Sequence, residues 1–259
     1  MSHTDSPPNR FVSDKFQALL VDHRGHGESG NDFPLPHTVE ACAEDAKILF
    51  KQLRDEGVLL ADPSVIVGHS FGGKVSLKLR DMLDAPNLTW ILDSAPAPIN
   101  PKLFDSDNQR ESVVRLKREL ATLPEWKTKA ELVKLLTDRH FSQMVAQWMT
   151  TNVAAKADGT LGFVFDLQVV NTLFDDYCRL DMFPQLAAKN LEKQVHFLRA
   201  AKNRQMWTET VLESFATYVD KDTVHLHSMN AGHFVHAEDP DGVYALMKPT
   251  LDRFASRPR

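Results

Sequence analysis

A short apolar run, Ser64-Val-Ile-Val-Gly68, breaks at a glycine-rich turn and passes at once into a helical pattern from about Gly72 to Leu83. A run this brief and this uniformly apolar suits a strand covered on both faces, hence a parallel sheet with helices on either side. Thr89-Trp-Ile-Leu92 is a second such run, closed by Asp93. Upstream, Phe16-Gln-Ala-Leu-Leu-Val21 reads as a buried strand ending at Asp22. Val39, Cys42, Ala46, Leu49 and Leu53 then recur at helical spacing. Strand, helix, strand, helix, strand predicts a parallel α/β sheet. Further on, Gln194–Leu198 and Thr223–His227 read as strands with a helix from Glu209 to Tyr218 between them. Asp239-Pro240 reads as an N-cap and first-turn proline of a last helix running toward Phe254. From about Ser106 to Gln185 the chain is helical, charged and aromatic, with one weak strand at Gly162–Phe165, and is read as an inserted lid.

Composition narrows the function. A net charge of -5 and a pI near 6.1 argue against a nucleic-acid binder, which would carry a basic stripe. No apolar run has the length of a membrane span. The first fourteen residues are polar and carry no apolar signal region, so the cytoplasm is the expected location. The two cysteines, Cys42 and Cys178, are expected as buried reduced thiols.

Gly68-His-Ser70-Phe-Gly72 matches G-x-S-x-G between a strand and a helix. That placement matters: a tight strand-to-helix turn lifts the serine oxygen above the sheet edge, and flanking glycines are expected to permit the close approach. The following helix aims its positive N-terminal end at the serine, and the Phe71 N–H is an oxyanion donor candidate. Two rival readings overlap. Gly68 to Lys74 also spells G-x-x-x-x-G-K, but Val75 stands where a phosphate loop needs Ser or Thr for magnesium. Gly25-His-Gly27-Glu-Ser-Gly30 spells G-x-G-x-x-G, but Pro34 and Pro36 prevent the immediate helix that a dinucleotide fingerprint requires.

Three segments in order carry a family resemblance. Asp22-His-Arg-Gly-His-Gly-Glu-Ser29 resembles the D-x-R-G-H-G-x-S loop of α/β-hydrolases. Gly68-His-Ser-Phe-Gly-Gly-Lys74 resembles their nucleophile elbow. Asn230-Ala-Gly-His233-Phe-Val-His-Ala-Glu-Asp-Pro240 resembles their catalytic-histidine loop. With Asp-Ser-Ala-Pro at 93–96, the chain looks most similar to the YbfF and ABHD11-type esterase branch. The resemblance implies an α/β-hydrolase fold and a serine hydrolase acting on a carboxylic ester or thioester of a small molecule, with no cofactor and no metal. Ser70 would be the nucleophile and His233 the base, in preference to His236. A metal reading of His233, His236 and Glu238 is the minor alternative.

The acid is less direct. In most relatives it follows the strand here ending at Leu198, but that stretch reads Ala200-Ala-Lys-Asn203-Arg204-Gln and holds no carboxylate. Asp93 lies 23 residues beyond Ser70, a separation that fits one helix plus one strand, so it should emerge at the same sheet edge. The alternative for Asp93 is a solvated loop aspartate. Asp22, His23, Arg24 and His26 are expected to be structural, with Arg24 holding neighbouring backbone. His225 and His227 are expected at the surface. Trp148, Phe163, Phe165 and Phe174 are candidates to line an acyl pocket, with ordinary packing as the alternative.

The expected organisation is a disordered tail over 1–15, a hydrolase core over 16–105 and 190–259, and a helical lid over 106–189. Only fifteen residues precede Phe16, whereas the resemblance implies earlier strands, one bearing a His-Gly turn that supplies the other oxyanion N–H. The sequence is therefore read as lacking those strands, either as a fragment of a normal enzyme or as a shortened, impaired hydrolase-like binding protein.

Overall fold

The computed structural model describes residues 16–30, 32–84, 87–104, 113–156, 158–188, 190–220 and 222–255. The tail expected over 1–15 and the start of the expected lid lie outside them. In chain order come α1 (Val39–Asp55), β1 (Val65–His69), α2 (Phe71–Met82), β2 (Asn87–Leu92), α3 (Val113–Leu120), α4 (Lys129–Asp138) and α5 (Gln143–Thr151). They are followed by β3 (Val153–Ala155), β4 (Leu161–Phe163), α6 (Leu167–Arg179), α7 (Phe183–Ala187), β5 (Lys193–Ala200), α8 (Glu209–Ala216), β6 (Val224–Met229), α9 (Val235–Glu238) and α10 (Pro240–Ala255). Two compact units divide the chain, one drawn from Met1–Val21, Lys47–Ala95 and Pro184–Arg259, the other from Asp22–Ala46 and Pro96–Phe183.

The first unit is a parallel sheet in the order β1-β2-β5-β6. Every residue of β2 is buried, because helices cover both faces of the sheet. On one face Leu88, Trp90 and Leu92 join Leu198, Ala200, Val235 and, from α10, Val243 and Met247. The Trp90 indole N–H donates to Thr250 Oγ1 at 3.1 Å, so the largest core side chain keeps its polar handle satisfied. On the other face Ile91 lies under α2 and Phe197 meets Phe215 of α8 edge-on. The α10 start follows its sequence signal, since Asp239 Oδ1 accepts from the Gly242 N–H.

Two strand expectations need correction. Phe16–Val21 is not a strand: it pairs with nothing among the described residues, and Leu20 is 85% exposed. An apolar run becomes a strand only where a neighbour supplies its ladder and covers its faces, and sequence pattern cannot say whether one is there. His225 and His227, expected at the surface, are only partly exposed. They are partly buried on the α10 face of the sheet, where His196 stacks between Trp90 at 4.7 Å and His225 at 4.1 Å.

The second unit is built around an apolar cluster of Leu116, Leu132, Leu136, Phe141, Val145 and Met149. Phe163 and Phe165 pack against that cluster and stack on each other at 4.8 Å. Its short helices are closed by side-chain caps, Thr128 for α4, Ser142 for α5 and Asp166 for α6. The weak strand near Gly162 is β4, and it pairs antiparallel with β3, which carried no legible signal. Arg24 is buried and grips Asp45 through two nitrogens at 2.7 and 2.8 Å, while Nη1 donates to the carbonyls of Pro34 and Pro36. Both cysteines are buried and outside any disulfide, and burial pushes the Cys42 thiol up to about 12. Phe174 lies 4.1 Å beneath Lys117 Nζ, and Trp148 is half-exposed.

Candidate active site

The site forms where parallel strands end. Ser70 N–H donates to the Leu92 carbonyl at 3.0 Å and Asp93 N–H donates to the Leu198 carbonyl at 2.7 Å. Each strand thus borrows one more ladder bond from its neighbour before it breaks. Both residues then take left-handed backbone, φ 53° at Ser70 and φ 46° at Asp93. Such strain costs on the order of 1–3 kcal/mol per residue and is held in place by the packed sheet around it.

The two glycines that bracket the serine differ. A Cβ on Gly68 would stand 2.1 Å from the Gly72 carbonyl oxygen and 2.3 Å from Ser76 Oγ, so only glycine fits. Gly72 has open space among the described residues, contrary to the motif-based expectation, and the second tight position is Gly73, whose Cβ would press on Ser94 and Ile91. Gly73 rather than Gly72 lets α2 settle onto β2.

His233 lies in the loop after β6, and its ring bridges the two strand ends. His233 Nε2 is 3.0 Å from Ser70 Oγ, and His233 Nδ1 is 2.7 Å from Asp93 Oδ2. With the Nδ1 proton donated to the carboxylate, Nε2 is left as an acceptor for the serine hydroxyl. Asp93 is not a solvated loop residue: none of its surface is accessible. Its Oδ1 accepts from the Ala200 N–H at 2.8 Å and the Trp207 indole N–H at 2.7 Å, and its Oδ2 accepts from Asn203 Nδ2 at 2.7 Å as well as from His233. A buried charge is tolerated only when met by donors in this way.

His69 and His236 complete the surroundings. His69 Nε2 donates to the His233 carbonyl at 2.7 Å and so ties the serine turn to the histidine loop. Burial, reinforced by neighbouring His233, pushes His69 down to about 3, which keeps it neutral. The His236 ring sits 4.6 Å from that of His69, and burial followed by His233 lowers it too. The histidine nitrogen beside Ser70 Oγ is His233 Nε2. Glu238 is occupied by the Gly232 N–H at 2.9 Å, and no group of metal-holding side chains occurs among the described residues. Lys74, the lysine of the phosphate-loop pattern, is buried within the fold. Phe71 begins α2, with its N–H at the helix's positive end.

Three neighbours escaped the sequence reading. Asn203 lies in the carboxylate-free stretch after β5, where an amide carries no signal of an acid. Trp207 carries no motif. His69 stands inside the G-x-S-x-G pattern at a position the pattern leaves open.

The sequence profile of the alpha/beta hydrolase family matches residues 9–246, and the chain belongs to that family. Among curated proteins, a putative carbamate hydrolase RutD of Caulobacter sp. (strain K31) is 32% identical over 107 residues, which span 39% of this chain and 37% of that protein. Among solved structures, a marine microorganism esterase superposes with a TM-score of 0.66 at 20% identity, over 89% of this chain and 82% of its own. E-2-(acetamidomethylene)succinate hydrolase gives the same TM-score at 17% identity, over 89% and 80%. An esterase of M. tuberculosis superposes at 0.56 with 15% identity, over 89% and 75%. At such identities the likeness is one of fold. No described helix is long and apolar enough to cross a membrane.

Proposed function

We propose that this chain is a serine hydrolase that cleaves a small-molecule carboxylic ester or thioester through an acyl-enzyme. The observation that carries the reading is the continuous hydrogen-bonded line from Ser70 Oγ through both ring nitrogens of His233 to the buried Asp93 carboxylate. Ser70 Oγ attacks the acyl carbon while His233 Nε2 takes its proton. The negative charge that develops on the acyl oxygen is met by the Phe71 N–H and the α2 dipole. His233 then protonates the leaving alkoxide or thiolate, and the acyl group stays on Ser70. A water, deprotonated by the same nitrogen, attacks the ester so formed and frees the acid. Asp93 holds the imidazole in the tautomer that leaves Nε2 basic and stabilises the imidazolium between the two proton transfers. The strained backbone at Ser70 supports the reading, since such strain concentrates at functional positions. The family membership and the hydrolase and esterase relatives support a hydrolytic reaction on an acyl group.

A fluorophosphonate probe, which reacts with activated serines, tests the assignment. Labelling of the purified chain that disappears in Ser70→Ala is expected. A folded wild-type chain that takes up no label refutes it and leaves the hydrolase-like binding protein.

A further inference from the structure

We infer that His69 is a positioning residue for the base: its ring N–H holds the His233 backbone and thereby sets the reach of His233 to Ser70. The inference rests on the serine-hydrolase reading above. Ser70 follows β1 and His233 follows β6, and in the order β1-β2-β5-β6 these are the two outer strands of the four. Three strand spacings, roughly 14 Å, separate their axes. The backbone on either side of His233 is bonded on the far side from Ser70. The Ala231 carbonyl accepts from the Lys202 N–H, in the loop after β5, at 3.1 Å, and the Gly232 N–H donates to Glu238 at 2.9 Å. The Phe234 carbonyl accepts from the N–H groups of Ala237 and Glu238, each at 2.9 Å, in the turn of α9. At His233 itself the partner comes from β1: the His233 carbonyl stands 2.7 Å from His69 Nε2.

A carbonyl oxygen only accepts, so the proton of this bond sits on His69 Nε2. Burial keeps the ring neutral, so Nε2–H is its single N–H and is committed to His233. His69 and Ser70 share a peptide bond, so donor and nucleophile move together. The circuit then closes, from His69 Nε2 to the His233 carbonyl at 2.7 Å and from His233 Nε2 back to Ser70 Oγ at 3.0 Å. A base held in this way keeps its distance from the hydroxyl when the outer strands shift against each other. The His69 ring also packs, its centroid 4.6 Å from those of His233 and His236 and 5.8 Å from that of Phe234. Donor and ring are separable contributions, and the positioning belongs to the donor.

Two substitutions separate them. His69→Phe keeps an aromatic ring and removes the N–H. His69→Gln gives up the ring but carries an amide N–H the same number of bonds from the backbone as Nε2. Fluorophosphonate labelling and p-nitrophenyl butyrate hydrolysis are measured on the full chain, with thermal melts of each variant. His69→Phe is expected to slow both reactions by about 10–100-fold, in kcat rather than KM, because the base is misplaced while substrate is not touched. His69→Gln, with the donor restored, should recover most of that loss. A folded His69→Phe chain with wild-type rates overturns the inference, as does a His69→Gln chain that is no faster than His69→Phe or that fails to fold, since the ring rather than its N–H would then hold the loop. Should His69→Phe fail to fold, His69→Asn takes its place, because its amide stops one bond short of Nε2: faster labelling in His69→Gln than in His69→Asn supports the inference, and equal rates overturn it. Absence of labelling in the wild-type chain fells the hydrolase reading and this inference together. Labelling that is abolished by Ser70→Ala but untouched by His69→Phe fells this inference alone.

Discussion

Alanine at the two glycines of the Gly68-His-Ser70-Phe-Gly72 motif should act with opposite signs. At Gly68 a Cβ would stand 2.1 Å from a backbone carbonyl, about 0.9 Å inside the closest approach real Cβ atoms make, and 2.3 Å from Ser76 Oγ. The carbonyl belongs to the first turn of α2, so relief requires the turn that carries Ser70 to shift. Overpacking of this kind costs on the order of 1–3 kcal/mol. At Gly72 the added methyl enters open space, the backbone is not left-handed, and the residue lies within α2. There alanine removes unfolded-chain freedom and should stabilise by about 0.5–1 kcal/mol. For a domain of this size each kcal/mol moves the melting temperature by about 2–4 °C. Gly68→Ala should therefore lower Tm by roughly 2–12 °C and slow labelling of Ser70, while Gly72→Ala should raise Tm by roughly 1–4 °C. Melts followed by circular dichroism, beside probe labelling, read both effects. Equal destabilisation by the two substitutions would refute the argument, because it would mean that the motif rather than the local space sets the need for glycine.

Two further outcomes follow from buried polar groups. Trp207→Phe keeps an aromatic ring but removes one of the two donors on Asp93 Oδ1; a bond to a buried charge is worth about 1.5–3 kcal/mol, so Tm should fall by several degrees, and an unchanged melt would show that the indole N–H contributes nothing. Burial first, then His225 and His227, pushes His196 down to about 3, and its Nε2 has no hydrogen-bond partner. Between the ordinary 6.5 and about 3 the unfolded chain binds a proton that folded His196 refuses, so this contribution is whole above pH 6.5 and is lost as pH falls. His196→Phe should therefore melt increasingly above the wild type as the buffer is taken from about pH 7 to about pH 5, and a difference in Tm constant across that range counts against the account.

The sequence alone determined the local punctuation of the site: the apolar run before Gly68, the turn at Ser70, the helix that follows and the Ala-Gly-His233 loop. These are short-range signals, in which strand period, a close-approach glycine and helix caps are written within a few residues of where they act. The strands β2, β5 and β6 were legible for the same reason. Phe16–Val21 was misread because a strand needs a partner, and the pattern of one segment carries no information about its neighbour. Asp93 was reached by spacing, but its burial and its four donors were not legible, since Ala200, Asn203, Trp207 and His233 lie more than a hundred residues away along the chain. Only the parallel register of β2 against β5 brings the Leu198 carbonyl to the Asp93 N–H and so turns that carboxylate toward the loop after β5. Which donors surround a charge is set by where strands end in space, and that depends on packing across the sheet rather than on any run of neighbouring residues.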